Sequence, residues 1–307
     1  MSPPGAGLGA MPVVASGPLP LGGEPGAPQI QLDSVASGYY GKRVLEDVTF
    51  RIDDPAIYVV LGPNGAGKTT LFRTIAGILH PYTGTIRIRG IPNEAVAART
   101  QLHYLTHVDG IPDGLRVAEA LRFYADIEHV GEEAVARTLH LLELDGLQDR
   151  YFSQLSQGQK KRVSVARIFL REKNIYLLDE PTSNLDPKMA GEIRELILRL
   201  SRNKVVLYSS HNLYEAREIG SHVIAIVGGR LAKFGRIDDI RTDRYVIGIR
   251  TLGPDPALAS FRREGDYYTL EIAGPEEVPK LVAELSAKGV QIREVREMEN
   301  PLESLFR

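Results

Sequence analysis

Apolar and polar positions change rhythm several times along this chain. In GTIRIRG (84–90) they alternate with a period of two, which predicts a half-buried strand. VTFRID (48–53) and QLHYLTH (101–107) read as strands as well. IYVVLG (57–62), NIYLLDE (174–180) and KVVLYSS (204–210) are nearly continuous apolar runs of strand length. Such runs suit strands buried on both faces of a parallel sheet. VIAIVGGRLAKFG (223–235) predicts a hairpin turning at Gly228 and Gly229. Between the strands the period lengthens to that of a helix. One helix is expected over about 67–79, and two in series between Leu115 and Leu144, broken near HVGEEA (129–134). A further helix starts at Gly158, with Val163, Ala166, Phe169 and Leu170 on one face. PKMAGEIRELILRL (187–200) opens on a proline suited to a first helical turn and stripes Met189, Ile193, Leu196, Ile197 and Leu200.

Strands alternating with helices predict an α/β domain with a mainly parallel sheet, here over 29–240. After Arg241 the pattern changes to strands at RYVIGIR (244–250), DYYTLEI (266–272) and GVQIREV (289–295), with a helix before the last. This predicts a small α+β appendage over 241–307. Residues 1–28 are half Gly and Pro with the single charge Glu24, and read as a disordered tail.

Composition narrows the chemistry. The 307 residues carry 43% hydrophobic and 25% charged side chains, the balance of an ordinary globular protein. No cysteine is present, which excludes thiolate nucleophiles, disulfides and Cys-ligated metals. A formal net charge of -2 gives no basic field for nucleic acid. No apolar run approaches the roughly 18–20 residues that cross a bilayer, and no secretory leader pattern opens the chain. Work at a membrane would need a separate spanning partner.

One motif is decisive. GPNGAGKTT (62–70) fits G-x-x-x-x-G-K-[ST] and stands after an apolar strand and before a helix. Gly62, Asn64, Gly65, Ala66, Gly67, Lys68, Thr69 and Thr70 are the candidate phosphate-binding residues. Glycines let backbone N–H groups approach phosphate oxygens, Lys68 sits between the β- and γ-phosphates, and the Thr69 hydroxyl is placed for Mg²⁺. Asp179, ending an apolar strand, suits the Mg²⁺ shell. Glu180 points the other way and is the candidate general base for an attacking water. His211, ending KVVLYSSH, is a candidate γ-phosphate donor.

A second phosphate-holding helix start lies in QLSQGQKKR (154–162), where Ser156, Gly158 and Gln159 offer a hydroxyl and N–H donors. The first loop already suffices for one nucleotide. The economical reading is that this start holds the γ-phosphate of a nucleotide bound to another subunit, in a head-to-tail pair. The basic run Lys160, Lys161 and Arg162 reads as a solvated helix face.

These motifs, in this order, resemble those of the nucleotide-binding subunits of ABC transporters over about 29–239. GPNGAGKTT resembles Walker A, LSQGQ the signature, IYLLDEP Walker B, SNLD the D-loop and SSH the H-loop. The resemblance implies a P-loop NTPase fold with a β-rich N-terminal portion and a helical subdomain at about 108–172. It implies ATP and Mg²⁺, a second ATPase subunit (a copy or a relative), a membrane permease and a place on the cytoplasmic face. It implies that Tyr40 stacks on adenine, Tyr39 less so, and that Asn184 and Asp186 cross the dimer interface. The helical region would contact the permease, although its Val117, Leu121 and Tyr124 suit a core equally well. Two departures stand out. Gln157 replaces the usual signature Gly, and His107 replaces a Gln that reaches Mg²⁺ and the attacking water. His107 reaches less far, so metal coordination by that loop is in question. The C-terminal appendage resembles those of multidrug- or antibiotic-exporter subunits. A non-transport ATPase of the same type, and a nucleotide-binding module without turnover, are the competing readings; Glu180 and His211 speak against the second.

Overall fold

Our computed structural model describes residues 26–107, 110–183, 185–239, 245–253, 258–272 and 277–298. The tail expected over 1–28 lies mostly outside these residues, as do Asn184 and the last nine positions.

Three sheets organise the described residues. The first joins β1 (Ile30–Tyr39), β2 (Lys42–Ile52), β4 (Thr83–Ile88) and β5 (Ile91–Pro92) in the order β2-β1-β4-β5, all antiparallel. The second is the six-stranded centre of the molecule. It contains β3 (Ile57–Leu61), β6 (Leu102–Leu105), β7 (Ile175–Asp179), β8 (Val205–Ser210), β9 (His222–Val227) and β10 (Arg230–Arg236). Its order is β10-β9-β3-β8-β7-β6, and every pairing is parallel except the β9–β10 hairpin.

The apolar runs are buried on both faces, as their composition predicts. Alternate residues enter two different cores. Val59, Leu61, Tyr176, Leu178, Val206 and Tyr208 face one core, which also holds the helical region. Val60, Ile175, Leu177, Val205 and Leu207 face the other, against the first sheet and α1 (Lys68–Ile75). This two-sided alternation decides where the side chains at the strand ends point.

Helix α1 is shorter than its pattern suggests. A left-handed Gly77 (φ 70°) turns the chain, and the Ile78 N–H returns to the Arg73 carbonyl at 2.9 Å, a closing motif that overrides the apolar residues beyond. Short α2 (Val96–Arg99) precedes β6. The two helices in series are α3 (Val117–Ile127) and α4 (Glu132–Leu141). Val117 and Leu121 are fully buried, and the Tyr124 hydroxyl donates to the Gly110 carbonyl. Phe123 and Ile127 of α3 stay exposed. Helix α5 (Gln157–Ala166) starts one residue earlier than expected. Its basic run is not a solvated face: Lys161 is buried, Lys160 lies over the Phe152 ring, and Arg162 bonds Glu143 and Glu192. Helix α6 (Pro187–Leu200) buries Ala190, Ile193 and Ile197, and α7 (Leu213–Ile219) follows β8.

The third sheet has the order β12-β13-β11-β14, all antiparallel. Its strands are β11 (Tyr245–Thr251), β12 (Arg262–Glu264), β13 (Tyr267–Ile272) and β14 (Ile292–Glu297). With α8 (Val278–Ala287) it encloses its own small core of Ile247, Ile249, Leu258, Leu285 and Val290.

Candidate functional site

The loop from Gly62 to Gly67 joins the buried β3 to α1, so it emerges at the carboxyl ends of the parallel strands, where open α/β sheets hold their ligands. At Gly62 a Cβ would stand 2.4 Å from the Ile226 carbonyl oxygen, so no side chain fits. Gly67 has φ 109°, a conformation strained for any other residue, and leaves α1 without a side-chain cap. The first N–H groups of α1 are therefore free to meet an anion. Lys68 is buried, and its ammonium donates to the carbonyls of Gly62 (2.7 Å) and Pro63 (3.3 Å). Burial pushes its pKa down, while Glu180 and Asp179 pull against that shift.

Asp179 ends β7 on the face that carries Ile175 and Leu177, toward α1. Ser209 of β8 faces the same way, and its hydroxyl donates to Asp179 Oδ1 at 2.8 Å. Asp179 is 1% exposed, and its Oδ2 has no hydrogen-bond partner. A buried carboxylate oxygen without a partner is costly unless a cation or water meets it. That oxygen, the hard donor Thr69 and the uncapped helix start fit a Mg²⁺–nucleotide pair. Among the described residues no cluster of three His, Cys, Asp or Glu could hold a metal alone, so phosphate oxygens would complete the shell.

Glu180 follows in a left-handed conformation (φ 49°), with its N–H donating to the same Ser209 hydroxyl at 2.9 Å. Its carboxylate lies between two imidazoles: His211 Nδ1 is 3.4 Å from one oxygen and His107 Nδ1 3.8 Å from the other. Asn64, Thr69, Arg73, Tyr104, Thr106, His107, Asp179 and Glu180 line a cavity of about 510 Å³. Glu180 and His107 also line a neighbouring cavity of about 590 Å³ that contains His211.

The remaining candidates stand elsewhere. Thr70 is buried, and its carbonyl accepts from the Thr74 hydroxyl. Tyr40, at the β1–β2 turn, is fully exposed, whereas the Tyr39 hydroxyl accepts a hydrogen bond from Arg73. Ser156, Gly158 and Gln159 line neither cavity. At this helix start Ser156 Oγ accepts from the Gln159 N–H (3.3 Å), and Gln159 Oε1 accepts from the Ser156 N–H (3.0 Å). Gly158 packs against α6, where a Cβ would lie 2.2 Å from the Met189 sulfur. Asp186 caps α6, accepting from the Met189 N–H at 3.1 Å. Sequence reasoning passed over Ser209, whose one hydroxyl holds both Asp179 and the Glu180 backbone. A polar pair ending an apolar strand just before a histidine was the available signal.

A family profile described as ABC transporter matches residues 45–183. An sn-glycerol-3-phosphate import ATP-binding protein of Cereibacter sphaeroides is 34% identical over 262 residues, covering 80% of this chain and 72% of the relative. A Nod factor export ATP-binding protein of Paraburkholderia xenovorans is 32% identical over 235 residues, covering 74% and 77%. Among solved structures, an ATP-binding subunit of an ABC transporter superposes with TM-score 0.64 at 29% identity, over 69% of this chain and 92% of that one. A dimeric cassette bound to ADP and phosphate, at 23% identity and TM-score 0.62, shares the fold over 68% of this chain and 98% of its own.

Proposed function

The chain belongs to the ABC transporter family as an ATP-binding, ATP-hydrolysing subunit, and from that premise we propose that its catalytic pocket is completed by a second such subunit. In our reading Tyr40 offers a ring face to the adenine, and the N–H groups of α1 with Lys68 bind the phosphates. Thr69 and Asp179 would hold Mg²⁺, which would supply positive charge to offset that of the phosphates. His107 Nδ1 lies 3.8 Å from a Glu180 oxygen; we assign it to orienting the base, and it would be a further donor toward Mg²⁺. Glu180 takes a proton from water as the water oxygen bonds to the γ-phosphorus and the bond to the β-phosphate bridging oxygen breaks, giving ADP and phosphate. His211 steadies that water and the γ-phosphate.

Ser156, Gly158 and Gln159 of the partner chain close the pocket over the γ-phosphate, with Asp186 and Asn184 at the seam. Closing and opening of the dimer drives a separate permease. Among the described residues no helix is long and apolar enough to cross a membrane. We assign permease contact to the exposed Phe123 and Ile127 of α3. Export is our preferred direction, on the strength of the C-terminal α+β appendage. ATP-driven accumulation of substrate in inside-out vesicles supports it, and efflux from them reverses it.

The observation that carries the reading is the buried, unpartnered Oδ2 of Asp179 beneath the uncapped start of α1. The test is Glu180→Gln with ATP and Mg²⁺. It is expected to run as a dimer in light scattering and to turn over about 10²–10⁴-fold more slowly. Wild-type turnover, or a single chain at saturating ATP, overturns the proposal.

A further inference from the structure

Glu215 sits in the first turn of α7, only 8% exposed, and lines the cavity of about 590 Å³ beside Glu180. Its carboxylate gathers an unusual set of donors. Oε1 accepts from the Thr182 hydroxyl at 2.5 Å and the Tyr208 hydroxyl at 2.7 Å, with Arg194 Nη1 at 3.5 Å. Oε2 accepts from the Ser210 hydroxyl at 2.6 Å. Tyr208 remains a protonated donor, because burial and the Glu215 charge push its pKa well above the usual value. The Ser210 hydroxyl also accepts from the Asn212 N–H, and the Asn212 side chain caps the Glu215 N–H.

These bonds go to the segments that carry the pocket. Thr182 stands two residues after Glu180 and leads into the stretch that ends at Asp186. Ser210 precedes His211, and Asn212 follows it. Arg194, 3.5 Å from Oε1, is the most distant of these donors, so the closest bonds to the charge come from hydroxyls. Arg194 is drawn closer to Glu218, 3.2 Å away. Three short neutral hydroxyl bonds thus fix two chain segments to a single charge.

Resting on the composite-pocket reading, we propose that Glu215 is a positioning residue that locks Thr182, two residues after Glu180, against the His211 turn. It thereby sets the geometry of Glu180 and His211 toward the attacking water. It touches neither nucleotide nor metal.

The test uses the full-length chain with ATP and Mg²⁺. Glu215→Gln keeps the shape but removes the charge, Thr182→Val removes one hydroxyl and Thr182→Ser keeps it. We expect Glu215→Gln and Thr182→Val each to lower kcat ten- to a hundredfold, with the Kd for ATP within about twofold of wild type. Thr182→Ser should hold near wild-type kcat. The double variant Glu215→Gln/Thr182→Val should be no slower than the worse single one, since both break one lock. The proposal fails if Glu215→Gln keeps wild-type kcat. It also fails if kcat, ATP affinity and Tm fall together, or if Thr182→Ser is as slow as Thr182→Val. Wild-type hydrolysis and the Glu180→Gln dimer, run alongside, separate the readings. Loss of that dimer refutes the shared pocket, whereas its retention with an unaffected Glu215→Gln refutes only the lock.

Discussion

Two helix starts in this chain look alike in sequence and are built in opposite ways. Helix α1 begins behind a left-handed, buried glycine with no side chain capping it, in a loop whose Pro63, Asn64 and Gly65 are exposed, near a buried carboxylate oxygen that lacks a partner. Helix α5 begins at the surface with its capping already reciprocal, Ser156 to Gln159 and Gln159 to Ser156. The first leaves its donors open in the single chain and is ready for a ligand. The second has satisfied part of its own demand and stands apart from the cavity. In our proposal it engages phosphate only when a partner presents one. A helix start is thus not one kind of site: what its cap leaves over decides whether it binds alone or in company.

That contrast can be broken by substitution at each start. The largest effect is expected at α1, where Lys68→Ala removes a buried charge from the phosphate-binding loop. The Kd for ATP should rise by about 1.5–3 kcal/mol, ten- to over a hundredfold, in calorimetric titration of the single chain. Unchanged affinity would place the phosphates elsewhere. At α5, Gly158→Val should leave that single-chain affinity alone while lowering turnover about tenfold. It also costs about 1–3 kcal/mol of stability, because the new side chain meets Met189. Adding Met189→Ala should restore much of the melting temperature but not the turnover; recovery of both would make Gly158 a packing residue only. The smallest effect belongs to Ser156→Ala. Loss of the cap costs about 1 kcal/mol, a fall of a few degrees in Tm, with ATP affinity again unchanged. A rise in the single-chain Kd in either α5 variant would erase the distinction between the two starts.

Much of this was legible because burial leaves a plain trace. Strands β3, β7 and β8 are buried throughout and apolar up to Asp179, Ser209 and Ser210 at their ends, the β9–β10 hairpin turns at its two glycines, and the loop after β3 has a fixed spacing. What escaped depends on contacts distant in sequence. Lys161 reads as polar in any window, yet it is buried. Helix α7 is short, and its Glu215 acquires meaning only through Thr182, 33 positions earlier, and Tyr208 on another element. Strand β12, three exposed residues long, exists by virtue of its pairing with β13 and has no apolar rhythm to betray it. Periodicity reports which face of an element is inside. It does not report what polar side chains do once they meet there.

The end of β8 carries Ser209 and Ser210 side by side, one bonded to Asp179 and the other to Glu215, across opposite faces of the sheet. Neighbours on a strand point to opposite faces of its sheet. The tip of one central strand, held between β3 and β7, therefore anchors a carboxylate on each side of the sheet.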